Sequence, residues 1–475
     1  MCMPNNNSIY LIRIGSNSEK EYVKKTISLF SGLVARANLF ESSPGMLSSM
    51  FLSISSPPLN KKYIIDPATY VFAIDPNHEG SIRNWQKINK DNVSKKLVED
   101  LRLSDTSEIK DDWIREIENP KPTQKNKVEI RGIKKAYRKL ADLFFPEEIS
   151  NFIGRRAIVP SDINQTCISY LVEKTILYQI NAISSSKYSI DKYSDFKNEI
   201  PEPSFILSPY FNIINNEWFE IMKKVWKIFD STNNDKSALV VHVDISFLNL
   251  NLDEIIQTLS SLKTETIFLW INKFNEDTAQ LNYISNFIFF IRNLTERGKK
   301  IINLYAGGLS PLLIPYGLAG MVNGPGYGMD KDSEPVIGGI PTAQFYIPTL
   351  HRRLPVGESF DLIQTNALGQ DKVRFHKEIC NCPICKSGID KGVRDLIFFY
   401  GELGEPQKGK DGLYRRFPTT EALERCKFHF IFSRLLEFRW ALYASQEDVI
   451  RRLDNEISLW KHGEEHLTIW RSLLS

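Results

Sequence analysis

The second half of the chain alternates between short apolar stretches and amphipathic stretches. From about residue 200, SFILSPYF, SALVVHVDISF, TETIFLWINKF and KIINLYAGG have the pattern of buried strands. Between them, NEWFEIMKKVWKIFDS, LDEIIQTLSSLK and AQLNYISNFIFFIRNLTERGK place apolar residues at helical spacing. Strands that alternate with helices predict a parallel sheet with crossover helices. The length of the repeat favours an α/β fold of the (β/α)8 TIM-like barrel type, with an open doubly wound sheet as the alternative.

The ends of the chain depart from this rhythm. IYLIRI (9–14) and YIIDPATYVFAID (63–75) predict strands, whereas residues 86–150 are charged and helical in pattern. Near the C-terminus, TEALERCKFHFIFSRLLEFRWALYA and QEDVIRRLDNEISLWKHGEEHLTIWRSLL predict two long amphipathic helices. We therefore expect the start of the barrel at 1–85, a helical insertion at 86–200, the remainder of the barrel at 201–375 and a helical subdomain at 376–475.

Composition narrows the class of protein. The chain has 475 residues, of which 42% are hydrophobic, so it can bury a large core. Its net charge of +3 is too small to indicate a nucleic-acid partner without a local concentration of basic residues. The N-terminal stretch MCMPNNNSIYLIRIGSN lacks the pattern of a signal peptide, and no uncharged apolar run has the length of a bilayer span. We expect a cytoplasmic protein with no membrane partner.

Half of the six cysteines lie in one stretch, CNCPIC. Cys380, Cys382 and Cys385 form a Cys-x-Cys-x-x-Cys knuckle, which can supply three thiolate ligands to a tetrahedral zinc ion. Three side chains are candidates for the fourth ligand: His376, Cys426 and His429. A site with four protein ligands leaves no position for water, so we expect a structural Zn²⁺ that fixes the C-terminal helices to the barrel.

The knuckle and the barrel pattern resemble the tRNA-guanine transglycosylase family. That family joins a (β/α)8 barrel to a zinc subdomain whose ligands are Cys-x-Cys-x-x-Cys and a His that opens a later helix. Cys380, Cys382 and Cys385 match these cysteines, and the resemblance implies His429 as the fourth ligand. The stretch GELGEPQKGKDGLYRRFP accounts for the longer spacing to His429.

Two barrel segments extend the resemblance. INLYAGGLSPLLIPYGLAGMVNG has the layout of the family segment that ends in the nucleophilic Asp, but Asn323 stands at that position. An amide cannot attack a ribose carbon as a carboxylate does. In YIIDPATY, Asp66 takes the place of an Asp that works at the family's base-binding site, although Pro67-Ala68-Thr69 replaces the usual Ser-Gly-Gly. Relatives of the family exchange guanine for 7-deazaguanine derivatives in DNA, so the resemblance implies either tRNA or DNA as the partner.

Base exchange requires a carboxylate nucleophile and a general acid or base. The predicted catalytic positions are Asp66, Asp244 and Asn323. The predicted substrate contacts are Tyr70, His242, Gly307, Gly308 and Tyr327. Each has a structural alternative: an Asp at a strand end is often a helix N-cap, a His on an apolar strand often packs in the core, and glycines often form tight turns.

Basic residues suggest where a nucleic acid would bind. Lys135 and Arg138 lie in a basic helical stretch, and Arg352 and Arg353 follow the aromatic stretch QFYIPTLH. Such groups suit phosphate contact and base stacking, or they are ordinary solvated charges.

Three hypotheses follow. The first is a divergent transglycosylase-like enzyme that exchanges a guanine-type base in a nucleic acid. The second is an inactive barrel that binds nucleic acid or acts as a scaffold beside a partner subunit or in a homodimer. The third is an unrelated barrel enzyme with an independent zinc knuckle.

Overall fold

The computed structural model describes residues 8–15, 19–75, 86–89, 130–133, 135–153, 156–186, 201–232, 234–326, 329, 332–333, 342–408 and 413–475. In chain order the strands are β1 (Ile9–Ile14), β2 (Gly32–Arg36), β3 (Lys62–Asp66), β4 (Gln86–Asn89), β5 (Ile130–Ile133), β6 (Ile206–Leu207), β7 (Ser237–Asp244), β8 (Thr266–Asn272), β9 (Lys300–Leu304), β10 (Gly320–Asn323), β11 (Gln344–Ile347), β12 (Arg352–Pro355), β13 (Gln407–Lys408) and β14 (Tyr414–Arg415).

The α-helices are Lys20–Thr26, Ala37–Ser42, Pro44–Ser55, Lys135–Phe144, Glu147–Ser150, Gln165–Asn181, Asn216–Asp230, Ile245–Leu250, Leu252–Ser260, Leu281–Glu296, Val356–Thr365, Lys372–Glu378, Pro383–Gly388, Arg394–Tyr400, Thr420–Ala441, Gln446–Leu459 and Glu465–Leu474. Short 3-10 helices cover Ile27–Leu29, Thr69–Ala73, Pro160–Asp162 and Ser310–Tyr316.

Eight strands form one parallel sheet in the order β3-β2-β1-β10-β9-β8-β7-β6. Its two edges approach each other, because the backbone N–H of Ser204, just before β6, donates to the Tyr63 carbonyl in β3 over 2.9 Å. The sheet is therefore a nearly closed barrel with helices around it, which confirms the predicted fold class.

Burial on both faces explains the continuous apolar runs of the central strands. β7 is buried from Ala238 to Asp244 and β8 from Ile267 to Asn272. The outer face packs against helices such as Asn216–Asp230, which buries Trp226 at 0% exposure and begins where the Asn215 side chain accepts from the Trp218 N–H. This packing holds the carboxyl ends of the strands, where polar residues gather, in fixed positions.

The N-terminal expectations need correction. The strand expected over 63–75 ends at Asp66, because Ala68 turns the chain with φ of +50° and the 3-10 helix Thr69–Ala73 follows. The helical pattern of 86–150 is wrong at 86–89 and 130–133, which pair as antiparallel strands β4 and β5. Residues 76–85 and 90–129 lie outside the described part of the chain.

The C-terminal region is mainly helical, and β13 and β14 form a short antiparallel pair before the helix Thr420–Ala441. The stretch expected as one helix from Gln446 consists of Gln446–Leu459 and Glu465–Leu474, with Gly463 at φ of +89° between them. Before the C-terminal region, β11 and β12 form an antiparallel hairpin.

Candidate metal centre and barrel mouth

Three thiols and one imidazole converge between the knuckle and the helix Thr420–Ala441. Cys380, Cys382, Cys385 and His429 are all buried, and their ligand atoms lie within 4.8 Å of one another. The Nδ1 atom of His429 lies 3.9, 3.3 and 3.4 Å from the three Sγ atoms in chain order. This cluster could hold a metal ion.

Local structure shapes the cluster. The Cys382 side chain caps the short helix Pro383–Gly388 by accepting from the Cys385 N–H over 3.4 Å, and the Cys380 sulfur accepts from the Cys382 N–H at the same distance. Backbone N–H groups that point at sulfur favour the thiolate form, which is the form that binds metals. Hydrogen bonds from Cys380 and Cys385 hold the pKa of Cys382 well below its usual value.

The imidazole is oriented by groups outside the cluster. His429 Nε2 lies 2.6 Å from the Tyr346 carbonyl oxygen, so it carries the hydrogen and leaves Nδ1 for a ligand. The Phe345 ring stacks on His429 with centroids 4.1 Å apart and planes within 6°. Burial lowers the pKa of His429, but the charges of Cys382 and Cys380 raise it to about 10, so a bound cation would have to replace a proton on Nδ1.

The two other candidate ligands lie outside this cluster. Cys426 donates towards the Tyr400 carbonyl at 3.6 Å, and burial raises its pKa to about 12. His376 places Nδ1 at 3.0 Å from the Cys380 carbonyl oxygen rather than among the sulfurs. His429 lies in the middle of its helix, in contrast to the helix-opening His of the transglycosylase pattern.

Asp66 lies at the carboxyl end of β3, inside the barrel mouth. It is 3% exposed, and both of its oxygens have partners. Oδ2 lies 3.1 Å from Arg13 Nη2, while Oδ1 accepts from the Tyr210 hydroxyl at 2.8 Å and the Ala68 N–H at 2.9 Å. The carboxylate is therefore held in place rather than open to solvent.

Aromatic rings fill the barrel behind Asp66. Tyr70 stacks on Tyr210 with centroids 5.6 Å apart, and His242 lies flat on Trp270 at 3.9 Å. His242 is fully buried, burial holds its pKa well below the usual value, and neither ring nitrogen has a hydrogen-bond partner among the described residues. Tyr70 meets both His242 and Trp270 edge to face, so two of the predicted substrate contacts adjoin one another.

The other two predicted catalytic residues, Asp244 and Asn323, also have local partners. Asp244 caps the helix Ile245–Leu250 by accepting from the Ser246 N–H at 3.1 Å, and its other oxygen lies 3.4 Å from Lys273 Nζ. Asn323 donates from Nδ2 to the Ala306 carbonyl oxygen over 2.7 Å.

The glycine loop after β9 is held from both sides. The buried Glu276 carboxylate accepts from the Gly307 and Ser310 N–H groups, each at 2.9 Å, and burial raises its pKa. A β-carbon on Gly308 would lie 2.0 Å from the His351 carbonyl oxygen, so close packing explains this glycine. Tyr327 lies outside the described residues.

The residues predicted to contact nucleic acid differ in their local partners. Lys135 is exposed at the start of its helix, but Arg138 donates to the Ser150 and Ile153 carbonyls. Arg352 pairs with Asp277 at 2.7 Å, and the Arg353 guanidinium lies 4.9 Å from the Phe430 ring centroid.

A cavity of about 900 Å³ opens at the amino-terminal end of the barrel, away from the strand ends described above. Its lining mixes both charge signs, for example Lys62, Lys300 and Glu265. Among the described residues, no helix combines the length and apolar content needed to cross a membrane.

Several residues that shape the mouth were not singled out in the sequence: Arg13, Arg36, Tyr210, Glu276 and Arg434. For Arg13 the sequence contains an indication, because this charged residue interrupts the apolar strand IYLIRI. Such a charge on a buried strand indicates a partner or a site.

Comparisons of the chain with protein-family models, with curated proteins and with solved structures found no match. The function is therefore inferred from the Cys3His cluster and the barrel mouth.

Proposed function

We propose that the Cys380, Cys382, Cys385 and His429 cluster holds one structural zinc ion. A tetrahedral zinc with Zn–S of about 2.3 Å and Zn–N of about 2.0 Å separates sulfur from nitrogen by about 3.5 Å. The three observed separations of 3.3, 3.4 and 3.9 Å bracket that value. Four protein ligands complete the coordination, and the ion would join the knuckle to the helix Thr420–Ala441 and, through His429, to the hairpin of β11 and β12.

We further propose that this zinc-containing barrel is a divergent member of the transglycosylase-like proteins and exchanges a guanine-type base in tRNA or DNA. The observation that carries this proposal is the conjunction of the Cys3His cluster with a barrel mouth in which Asp66 lies beside packed aromatic rings. The resemblance implies that Asp66 works at the base-binding site, Tyr70 is a predicted substrate contact, and Tyr210 contacts both side chains. Such a protein would work in the cytoplasm.

In this mechanism Asp66 is the nucleophile. Its carboxylate would form a bond to the anomeric carbon as the carbon–nitrogen bond to the outgoing base breaks, and the departing base would take up a proton. The incoming base would then attack the same carbon, lose a proton and release the carboxylate. Because Arg13 and Tyr210 now hold Asp66, substrate would first have to displace one of these contacts.

A second candidate function is a non-catalytic, nucleic-acid-binding subunit that pairs with a catalytic partner or a second copy. Two observations favour it: both oxygens of Asp66 are occupied, and Asn323 uses its amide to bond the Ala306 carbonyl oxygen. At the position where the family has its nucleophilic carboxylate, this chain would then have an amide that hydrogen-bonds the backbone.

Exchange of labelled guanine or a 7-deazaguanine into tRNA and duplex DNA distinguishes the two functions. If the protein is the enzyme, the native chain incorporates the labelled base and Asp66→Asn does not. The control Asp253→Asn alters an exposed carboxylate on an outer helix and should leave incorporation unchanged. Absence of exchange, together with nucleic-acid binding that survives Asp66→Asn, would favour the non-catalytic reading.

A further inference from the structure

Two guanidinium groups lie at the carboxyl ends of neighbouring strands in the barrel mouth. Arg13 belongs to β1 and Arg36 ends β2, and the register of β2 with β3 places Arg36 beside Asp66. Arg13 is 5% exposed, and Arg36 is half-buried. Among the described residues, Asp66 is the one carboxylate that acts on both arginines, which leaves one positive charge in excess.

The hydrogen-bonding capacity of these arginines is not used up. A guanidinium has five N–H donors. Arg13 directs one contact to Asp66 at 3.1 Å, lies 4.4 Å from the Tyr305 ring centroid, and has no partner for Nε among the described residues. Arg36 forms no ion pair within the described ranges and likewise leaves Nε without a partner.

A buried arginine in the C-terminal helix Thr420–Ala441 shows the usual arrangement, although its Nε also lacks a partner among the described residues. Arg434 is 0% exposed and pairs with Glu437 at 3.0 Å, bonds the Tyr346 hydroxyl at 3.0 Å and donates to the Gly307 carbonyl oxygen at 2.7 Å. Buried charges are normally compensated in this way, because an unpaired one is costly. Burial and the nearby Arg36 lower the pKa of Arg13, which reflects the unfavourable proximity of two cations.

The geometry points to a phosphate-binding subsite formed by Arg13 and Arg36 at the barrel mouth, next to Asp66. The planar forks of two arginines match the oxygens of a phosphate, which would supply the missing negative charge and fill donors that now lack partners. This inference rests on the proposed function for its source: the phosphate would be the phosphodiester beside the base that enters the mouth. A free phosphate-bearing compound would use the same chemistry.

The site makes an unusual prediction for Asp66. Because Asp66 competes with phosphate for Arg13, Asp66→Asn should bind inorganic phosphate several-fold more tightly than the native chain. Arg36→Gln should bind it at least tenfold more weakly, and Arg36→Lys should be intermediate, since lysine keeps the charge without the planar fork. The control Arg297→Gln removes an exposed charge near the start of β9, at the opposite end of the barrel, and should bind like the native chain.

Two arms of one experiment separate the sources of phosphate. Calorimetry of the full-length protein with inorganic phosphate tests the subsite alone, and thermal unfolding of each variant confirms that it is folded. Binding of a single-stranded oligonucleotide at several salt concentrations tests the phosphodiester, where Arg36→Gln should reduce the slope of log K against log salt by about 0.7.

Equal phosphate affinity in Arg36→Gln and the native chain, or no phosphate binding by the native chain, would overturn the subsite. Arg36-dependent phosphate binding without any oligonucleotide binding would support the subsite, assign it to a free phosphate compound and reject the nucleic-acid function.

Discussion

A buried chain of charges joins the C-terminal helices to the β11–β12 hairpin, and His351 lies at its centre. His351 is 0% exposed, with Nδ1 2.9 Å from Glu437 Oε1 and Nε2 3.0 Å from Glu456 Oε2. Both nitrogens face carboxylate oxygens, which raise the pKa of His351 despite its burial and favour the imidazolium form, although the Nδ1 contact lacks hydrogen-bond geometry. Arg434 pairs with Glu437, and Arg452 pairs with Glu456 at 2.8 Å.

His351→Gln removes the central cation while keeping a side chain of similar length. The glutamine amide can donate a hydrogen bond to one of the two carboxylates. The other carboxylate then faces the amide oxygen or has no partner from this side chain. Removing one partner of a buried ion pair typically costs about 3–5 kcal/mol, and the arginines that remain on each glutamate keep the loss within that range. We expect the free energy of unfolding in urea at pH 6 to fall by about 3–5 kcal/mol.

The same substitution at an exposed position is the control. His462→Gln lies in the same subdomain with an exposed side chain and should change stability by less than about 0.5 kcal/mol. In a double-mutant cycle, Glu456→Gln should couple to His351→Gln by about 0.5–3 kcal/mol. If His351→Gln unfolds at the same urea concentration as the native chain, the ring is not a buried cation and the reasoning fails.

The chain of charges also predicts a pH dependence. Burial lowers the pKa of His351, but Glu456 and Glu437 raise it overall, so its contribution is complete below the unfolded value of 6.5 and is lost as the pH rises through the folded pKa. The pKa values of Glu437 and Glu456 are lowered, despite burial, by His351 and the arginines, so their contribution is present above 4.5 and is lost in acid. The stability difference between the native chain and His351→Gln should therefore be largest between about pH 4.5 and 6.5 and shrink at higher pH.

Three further substitutions test the barrel mouth. Glu276→Gln replaces a carboxylate that accepts from two backbone N–H groups, so it should lower the unfolding free energy by about 1–3 kcal/mol in urea titrations. Asn323→Asp sets a carboxylate against the Ala306 carbonyl oxygen and should lower the melting temperature without creating base-exchange activity; a gain of activity would show that the position can still act as a nucleophile. Asp244→Ala removes a helix cap and should cost about 1 kcal/mol, measured by thermal unfolding, while any exchange activity persists.

The barrel could be predicted from the sequence because its central strands are buried on both faces. β7 and β8 appear as unbroken apolar runs between amphipathic helices, which is a strong local pattern. β2 was not recognised, since the five residues Gly32–Arg36 are too short to show a period. Strands at 86–89 and 130–133 could not be predicted, because their pairing joins segments distant in sequence, which local spacing does not reveal.

The metal cluster could be predicted for a different reason. Three thiols in six residues constrain their own geometry, whereas the fourth ligand comes from a distant helix and needed the family resemblance to select His429. The roles of Asp66 and Asp244 could not be decided from the sequence. Their partners Arg13, Tyr210 and Lys273 come from other segments, and only the closed barrel brings these side chains together.

Elemental analysis of the full-length protein, prepared without chelator, tests the zinc-containing barrel most directly. We predict about one zinc ion per chain in the native protein and in Cys426→Ser, and its loss in His429→Ala and Cys382→Ser. Native protein without zinc, or His429→Ala that retains it in full, would contradict the proposed centre and the transglycosylase-like assignment built on it.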